Sequence, residues 1–171
     1  MDIADSLLDH LTDTFRRQKR LADRAIAQLA PTDFDFVPDA HSNSIAIIMK
    51  HMAGNMRSRW TDFLTSDGEK PTRNRDAEFS HEGIVVAELI TGWEEGWQTL
   101  FSTLSSLTPE DLGNTVTIRG QEHTALEAIL RQLDHYGQHV GQIVYLAKHI
   151  RGDAWQNLSI PTPSSANQDV N

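Results

Sequence analysis

Leu133-Asp-His-Tyr-Gly-Gln-His-Val-Gly-Gln-Ile-Val-Tyr-Leu-Ala147 carries His135 and His139 four residues apart, inside a run with helical periodicity. At 3.6 residues per turn, an i, i+4 pair stacks on one face of a helix, about one turn apart. Two imidazoles so placed can ligate the same ion, which is why the spacing recurs in zinc-binding helices. The pair makes no centre by itself, because even an open catalytic zinc takes three protein ligands. Two questions follow from this stretch: which residue is the third ligand, and what enters the open position.

Upstream of it, Thr124-Ala-Leu-Glu127 has the spacing of a capping box, so the helix is predicted over about 125–150, with Gly152 beyond its end. Its apolar seam reads as Leu126, Ile129, Leu130, Leu133, Val140 and Val144, with Arg131, His135, His139 and Gln142 in a neighbouring polar row. Thr115 to His123 alternates polar and apolar around Arg119-Gly120, the pattern of a small β-hairpin. Thr108-Pro-Glu-Asp111 reads as a single capped helical turn.

Three more amphipathic helices precede these elements. The first covers 3–29, through Leu7, Leu11, Phe15, Ala22 and Ile26, and stops before Pro31. The second covers about 44–65, through Ile45, Ile48, Met52, Met56 and Trp60, with Ser42, Asn43 or Ser44 as its cap. The third covers about 82–104, through Val86, Leu89, Trp93, Trp97 and Leu100; Gly92 and Gly96 within it suit a close helix approach, a subunit contact, or no more than two tolerated glycines. Between the second and third lies a polar segment, 65–76, broken by Gly68 and Pro71 and long for a bundle connection, a property that often accompanies function. Four such helices with one long crossover and a hairpin predict an all-α four-helix bundle over 1–155, followed by an irregular tail over 156–171.

Composition narrows the classes of function. With 171 residues, 39% hydrophobic and 23% charged, the chain reads as a soluble globule able to bury a core. A net charge of −9 argues against nucleic acid or an anionic membrane as a general partner. No apolar run approaches the roughly 20 residues of a membrane span, and the acidic start of the chain does not resemble a signal peptide, so a cytoplasmic location is expected. The absence of cysteine excludes disulfides, thiolate ligands and a cysteine nucleophile. A metal held by this chain is held through nitrogen and oxygen.

Of the eight histidines, His10, His41, His81 and His123 lie among polar neighbours or at predicted element ends, and His149 falls in the last turn of a helix, where a cation suits the dipole. Read alone, His135 and His139 are as well explained as part of a solvent face. His51 alters the balance, because it too flanks an apolar stripe, in the row Ile47, His51, Asn55 of the second helix.

Ile47-Ile-Met-Lys-His-Met-Ala-Gly-Asn55 followed by Asp134-His-Tyr-Gly-Gln-His-Val-Gly-Gln142 resembles the DinB-like superfamily, as do Arg57-Ser-Arg-Trp-Thr-Asp-Phe-Leu64, the turn Thr117-Ile-Arg-Gly120, and the segment from Trp155 to Pro161. The resemblance takes in nearly the whole chain. It implies a four-helix bundle holding a divalent metal, commonly zinc or nickel, through three histidines, which by position are His51, His135 and His139. It also implies a homodimer, and activities of the YfiT type: metal-dependent hydrolysis, or thiol S-transfer with a low-molecular-weight thiol such as bacillithiol or mycothiol. Many members have no assigned reaction.

Three neutral imidazoles leave a divalent ion its full charge and at least one open position, suited to activating either water or an incoming thiol. The triad alone does not choose between these. Gln142 and Arg131 share the ligand row and are candidates to contact a ligand's free N–H or an anionic substrate; Asn55 is a candidate to orient His51; Tyr136 is a candidate donor to substrate. No Asp or Glu stands out as a general base. The expected function is metal-dependent hydrolase or S-transferase chemistry on a small molecule, and the competing class is a non-catalytic metal- or ligand-binding dimer formed through faces carrying Trp93 and Trp97.

Overall fold

A computed structural model of the chain describes residues 3–158. It is an all-α bundle with a two-stranded hairpin before the last helix: α1 (Ile3–Ile26), α2 (Ile45–Trp60), a single-turn α3 (Arg75–Glu78), α4 (Val86–Ser106), β1 (Thr115–Ile118), β2 (Gln121–Thr124) and α5 (Ala125–Arg151). The irregular tail expected over 156–171 falls largely outside the described residues, as does Pro161.

The sequence cues act where they stand. Ser44 caps α2 by accepting from the Ile47 amide. Thr124 and Glu127 cap α5 reciprocally. Thr108 and Asp111 do the same for the short 3-10 turn Pro109–Gly113. Arg119 and Gly120 form a two-residue turn with φ of 54° and 72°, the left-handed pair that matches the twist of a hairpin.

Two boundaries differ from expectation. α2 ends at Trp60 rather than near 65, because Thr61 turns extended and Asp62 takes a φ of 49°. That reversal lets Phe63 fold back on Trp60, with ring centroids 5.2 Å apart. α4 begins at Val86 rather than 82, after a turn in which Gly83 has a φ of 64°.

The direction of the helices explains the long segment before α4. Gly96 lies against Ala53 and Met56, and the Thr103 hydroxyl donates to the Trp60 carbonyl at 2.8 Å, so α2 and α4 run parallel. α5 runs against α2: His51 meets His139, and Asn55, one turn later, meets Tyr136. α1 opposes α4, placing Arg16 over Phe101, Lys19 at Glu94 and Asp23 at Trp93. A chain leaving the end of α2 must therefore travel back about 24 Å, the length of 16 residues, before α4 can start. The crossover 61–85 makes that journey along the outside of α2.

The crossover is fastened near its start to the hairpin. The Asp67 carboxylate accepts from the amides of Arg119 (2.9 Å) and Gly120 (2.8 Å), and the Gly68 amide donates to the Thr117 carbonyl (2.8 Å). Amide donations from Glu69, Gly120 and Arg119 hold the Asp67 carboxyl below its ordinary range.

The core collects Phe15, Met49, Met52, Met56, Trp60, Trp93, Trp97, Leu100, Ile129 and Tyr136, all at most 1% exposed. Trp93 and Trp97 thus face inward, and the expected subunit contact through them is not available to their side chains. On α5 the buried line is Ala125, Ala128, Ile129, Gln132, Tyr136, Val140 and Ile143, rotated from the seam read in the sequence; Leu130 is 46% exposed.

Gly96 and Gly92 differ in kind. A Cβ on Gly96 would sit 3.1 Å from the Ala53 Cα and 3.4 Å from its carbonyl oxygen, so glycine sets the closeness of α2 and α4. A Cβ on Gly92 would meet only Arg57 Nη1, at an ordinary 3.6 Å. Gly96→Val is therefore expected to lower stability by about 1–3 kcal/mol through overpacking, whereas Gly92→Ala should raise it by about 0.5–1 kcal/mol through helix propensity. Urea unfolding midpoints of the two variants would show the opposite signs.

Candidate metal centre

α2 and α5 cross with His51, His135 and His139 on their facing edges. His51 is 7% exposed and the other two are half-buried, so the cluster is walled by α2 and opens along α5. The Nε2 atoms converge: His51 to His135 is 3.3 Å and His139 to His135 is 3.1 Å. Two nitrogens each bound 2.0–2.1 Å from a common ion stand about 2.9 Å apart at a right angle and about 3.4 Å apart at a tetrahedral one. The three side chains can hold a divalent ion with little rearrangement, and among the described residues they are the one such cluster.

The opposite edge of each ring faces an oxygen. His51 Nδ1 lies 3.0 Å from Glu78 Oε2, His135 Nδ1 is 3.4 Å from Gln132 Oε1, and His139 Nδ1 is 2.8 Å from Gln142 Oε1. Each acceptor draws the ring proton to Nδ1 and leaves a lone pair on Nε2. The Nε2 lone pairs of His51 and of His139 then each face that of His135 across little more than 3 Å, an arrangement that is repulsive until a cation stands between them.

Protonation would relieve the repulsion, but the surroundings oppose it. Burial, followed by the neighbouring His139 and His51, pushes His135 down to about 3. Burial also lowers His139, outweighing the opposite effect of its bond to Gln142. Both rings are neutral at physiological pH, as metal ligation requires.

Glu78 comes from α3, in the crossover. Burial alone would raise its pKa, but Arg73, donating from Nε at 2.8 Å and from Nη2 at 2.7 Å, together with His51 more than reverses this. The carboxyl therefore stays ionised below its ordinary range. Arg73 continues to Glu69 (3.1 Å), and Glu69 to Arg119 of the hairpin turn (3.2 Å). Phe79, next in sequence, lies against the His51 ring with centroids 5.0 Å apart, and the Arg75 guanidinium lies over the Phe79 ring.

The remaining sequence candidates fall in different places. Gln142 contacts His139, as its position in the ligand row suggested. Arg131, in the same row, is exposed, and the ring nitrogens it was expected to serve face Gln132 and Gln142 instead. Tyr136 is fully buried: its hydroxyl donates to Asn55 Oδ1 (2.8 Å) and accepts from Trp60 Nε1 (3.1 Å). It is therefore a core strut rather than a donor to substrate, and Asn55 is committed to it instead of to His51.

Sequence reasoning missed Glu78, Arg73 and Gln132. Gln132 had a signal: a polar residue three before His135, on the buried line between Ile129 and Tyr136. Glu78 had none beyond the length of its loop.

A cleft of about 1010 Å³ lies elsewhere, between α2, α4 and the crossover. Glu78 and Arg73 form part of its wall, but none of the three histidines does.

A helical bundle with three imidazoles converging at one end of a long crossover defines a class of metal-capable bundle proteins. The chain belongs to the family described as protein of unknown function DUF1572, whose profile matches residues 2–164. Comparison with curated proteins gives no match.

The depressed histidine pKa fixes the pH dependence of the metal-free protein. Below about 6.5 the unfolded chain protonates residue 135 while the folded chain does not until about 3, so stability falls as pH falls through that window. Glu78, ionised more readily in the folded state, adds a loss of the same sign as pH falls through the carboxylate range. In the presence of chelator, the urea midpoint should decline steadily from pH 6.5 to 5, and His135→Asn should flatten that decline.

Proposed function

We propose that the protein is a metal-dependent enzyme of the DinB-like kind, acting on a small molecule by hydrolysis or by thiol S-transfer, with His51, His135 and His139 as ligands to zinc or nickel. The observation that carries this reading is the convergence of three Nε2 lone pairs, each fixed by an oxygen on its Nδ1. An ion held by three neutral imidazoles supplies a Lewis acid with an open position, able to generate a nucleophile from water or from an incoming thiol at neutral pH.

The chain's own contributions are positional and electrostatic. Burial keeps the His135 and His139 imidazoles neutral, so proton competition for those two ligand atoms is weak near pH 7. Gln132, Gln142 and Glu78 hold the rings in one tautomer. The half-exposed edges of His135 and His139 leave a solvent-facing approach for a small molecule. Because the chain has no cysteine, a thiol nucleophile must arrive as a second substrate.

Elemental analysis after purification without metal affinity should give about one divalent ion per chain. His51→Ala, His135→Ala and His139→Ala should each lose it while the helical circular dichroism persists. Hydrolytic or thiol-transfer turnover that appears with the ion and disappears with chelator would then assign the reaction class. A wild type that is empty and takes up neither zinc nor nickel would overturn the proposal.

A further inference from the structure

Glu78 stands apart from the other two acceptors. Gln132 and Gln142 are neutral and lie on the same helix as the histidines they face, whereas Glu78 is charged and is brought in by the crossover. We propose that Glu78 is the positioning residue that selects Nε2 of His51 as a ligating atom and strengthens it as a donor; this rests on the metal-centre reading above.

Three features carry it. The carboxylate lies on the Nδ1 edge of His51, across the ring from the point where the Nε2 atoms meet, so it belongs to no metal-capable group itself. It acts on an ion only through the imidazole. An ionised acceptor on Nδ1–H pushes electron density to Nε2, an effect a neutral amide provides less strongly.

The carboxylate is also locked in place. Arg73 occupies both oxygens, from Nε to Oε1 and from Nη2 to Oε2, leaving Oε2 to share with His51. The Arg73 side chain is itself only 4% exposed, and its two-point grip fixes the orientation of the carboxylate.

Room for the clamp is made on α2. A Cβ at Gly54 would overlap Glu78 Oε1 and stand 2.8 Å from its carboxyl carbon. His51 and Gly54 are three apart on one helix, so a single turn of α2 presents both the ligand and the gap that admits its partner.

Glutamine cannot replace Glu78 without loss. Each oxygen accepts a guanidinium N–H, so the amide NH2 opposes an Arg73 donor in one orientation, and both an Arg73 donor and the His51 Nδ1–H in the other. In that second orientation His51 is driven to carry its proton on Nε2, the atom the ion needs.

The test is zinc affinity by chelator competition for the wild type, Glu78→Gln, Glu78→Asp and Gly54→Ala, with apo circular dichroism and urea midpoints alongside. Removal of such a partner costs about 10- to 100-fold in metal affinity. Glu78→Gln should fall in that range with its helical signal intact. Gly54→Ala should weaken binding in the same direction, and Glu78→Asp should recover part of the loss.

Nitrogen-15 spectra of the apo wild type provide a readout that needs no variant: His51 should carry its proton on Nδ1. A wild type that binds no zinc overturns this proposal together with the metal centre. A wild type that binds zinc no more tightly than Glu78→Gln, or an apo His51 protonated on Nε2, overturns the role of Glu78 alone.

Discussion

Because α2 and α4 run in the same direction, the chain cannot pass between them by a short turn. It must retrace the length of α2, and in doing so it lays 25 residues along the outside of α2 and brings Glu78 and Phe79 to His51. Gly96 permits the close parallel contact, and Asp67 fixes the returning strand to the hairpin turn. Everything the crossover delivers depends on that constraint: the Arg73–Glu78 pair, the Phe79 ring against His51, and the chain of charges that joins them to Arg119. The hairpin, which adds little to the core beyond Val116 and Ile118, works as a buttress for this segment.

The polar chemistry is divided between two helices and the strap across them. A buried ion pair such as Arg73–Glu78 is a weak source of net stability, since desolvation of both charges opposes their attraction. Its value here is geometric: a charge placed at a fixed distance from one edge of one imidazole. Arg59 lies deeper, 4% exposed, with its nearest carboxylate Glu69 at 3.7 Å, and burial lowers its pKa. The crossover thus places two carboxylates, Glu69 and Glu78, beside buried arginines, and the anionic composition of the chain is no guide to that local balance.

Local rules made the secondary structure legible. Hydrophobic periodicity gave all four long helices, and Thr124 with Glu127, and Arg119 with Gly120, announced a cap and a turn through chemistry that acts within four residues. Two members of the histidine cluster share a helix face and the third stands beside an apolar stripe, a pattern that singled them out, but it was the resemblance to the DinB-like superfamily that assigned all three as ligands. The exact face of α5 was less legible: the small residues Ala125 and Ala128 are fully buried, while larger Leu130 is left outside. Tyr136 and Trp93 looked available because a hydroxyl and an indole suggest contact with something else; both find partners inside, in Asn55 with Trp60 and in Asp23. Glu78 was beyond reach, since its role depends on the relative direction of two helices, which no periodicity records.

The central claim is that three Nε2 atoms bind one ion and leave a position open. X-ray absorption on the zinc-loaded protein measures this directly. Three imidazole nitrogens at 2.0–2.1 Å, with an additional light-atom ligand that exchanges for added thiol, is the predicted result. A closed shell of four protein ligands, or a spectrum unchanged by His135→Ala, would contradict it.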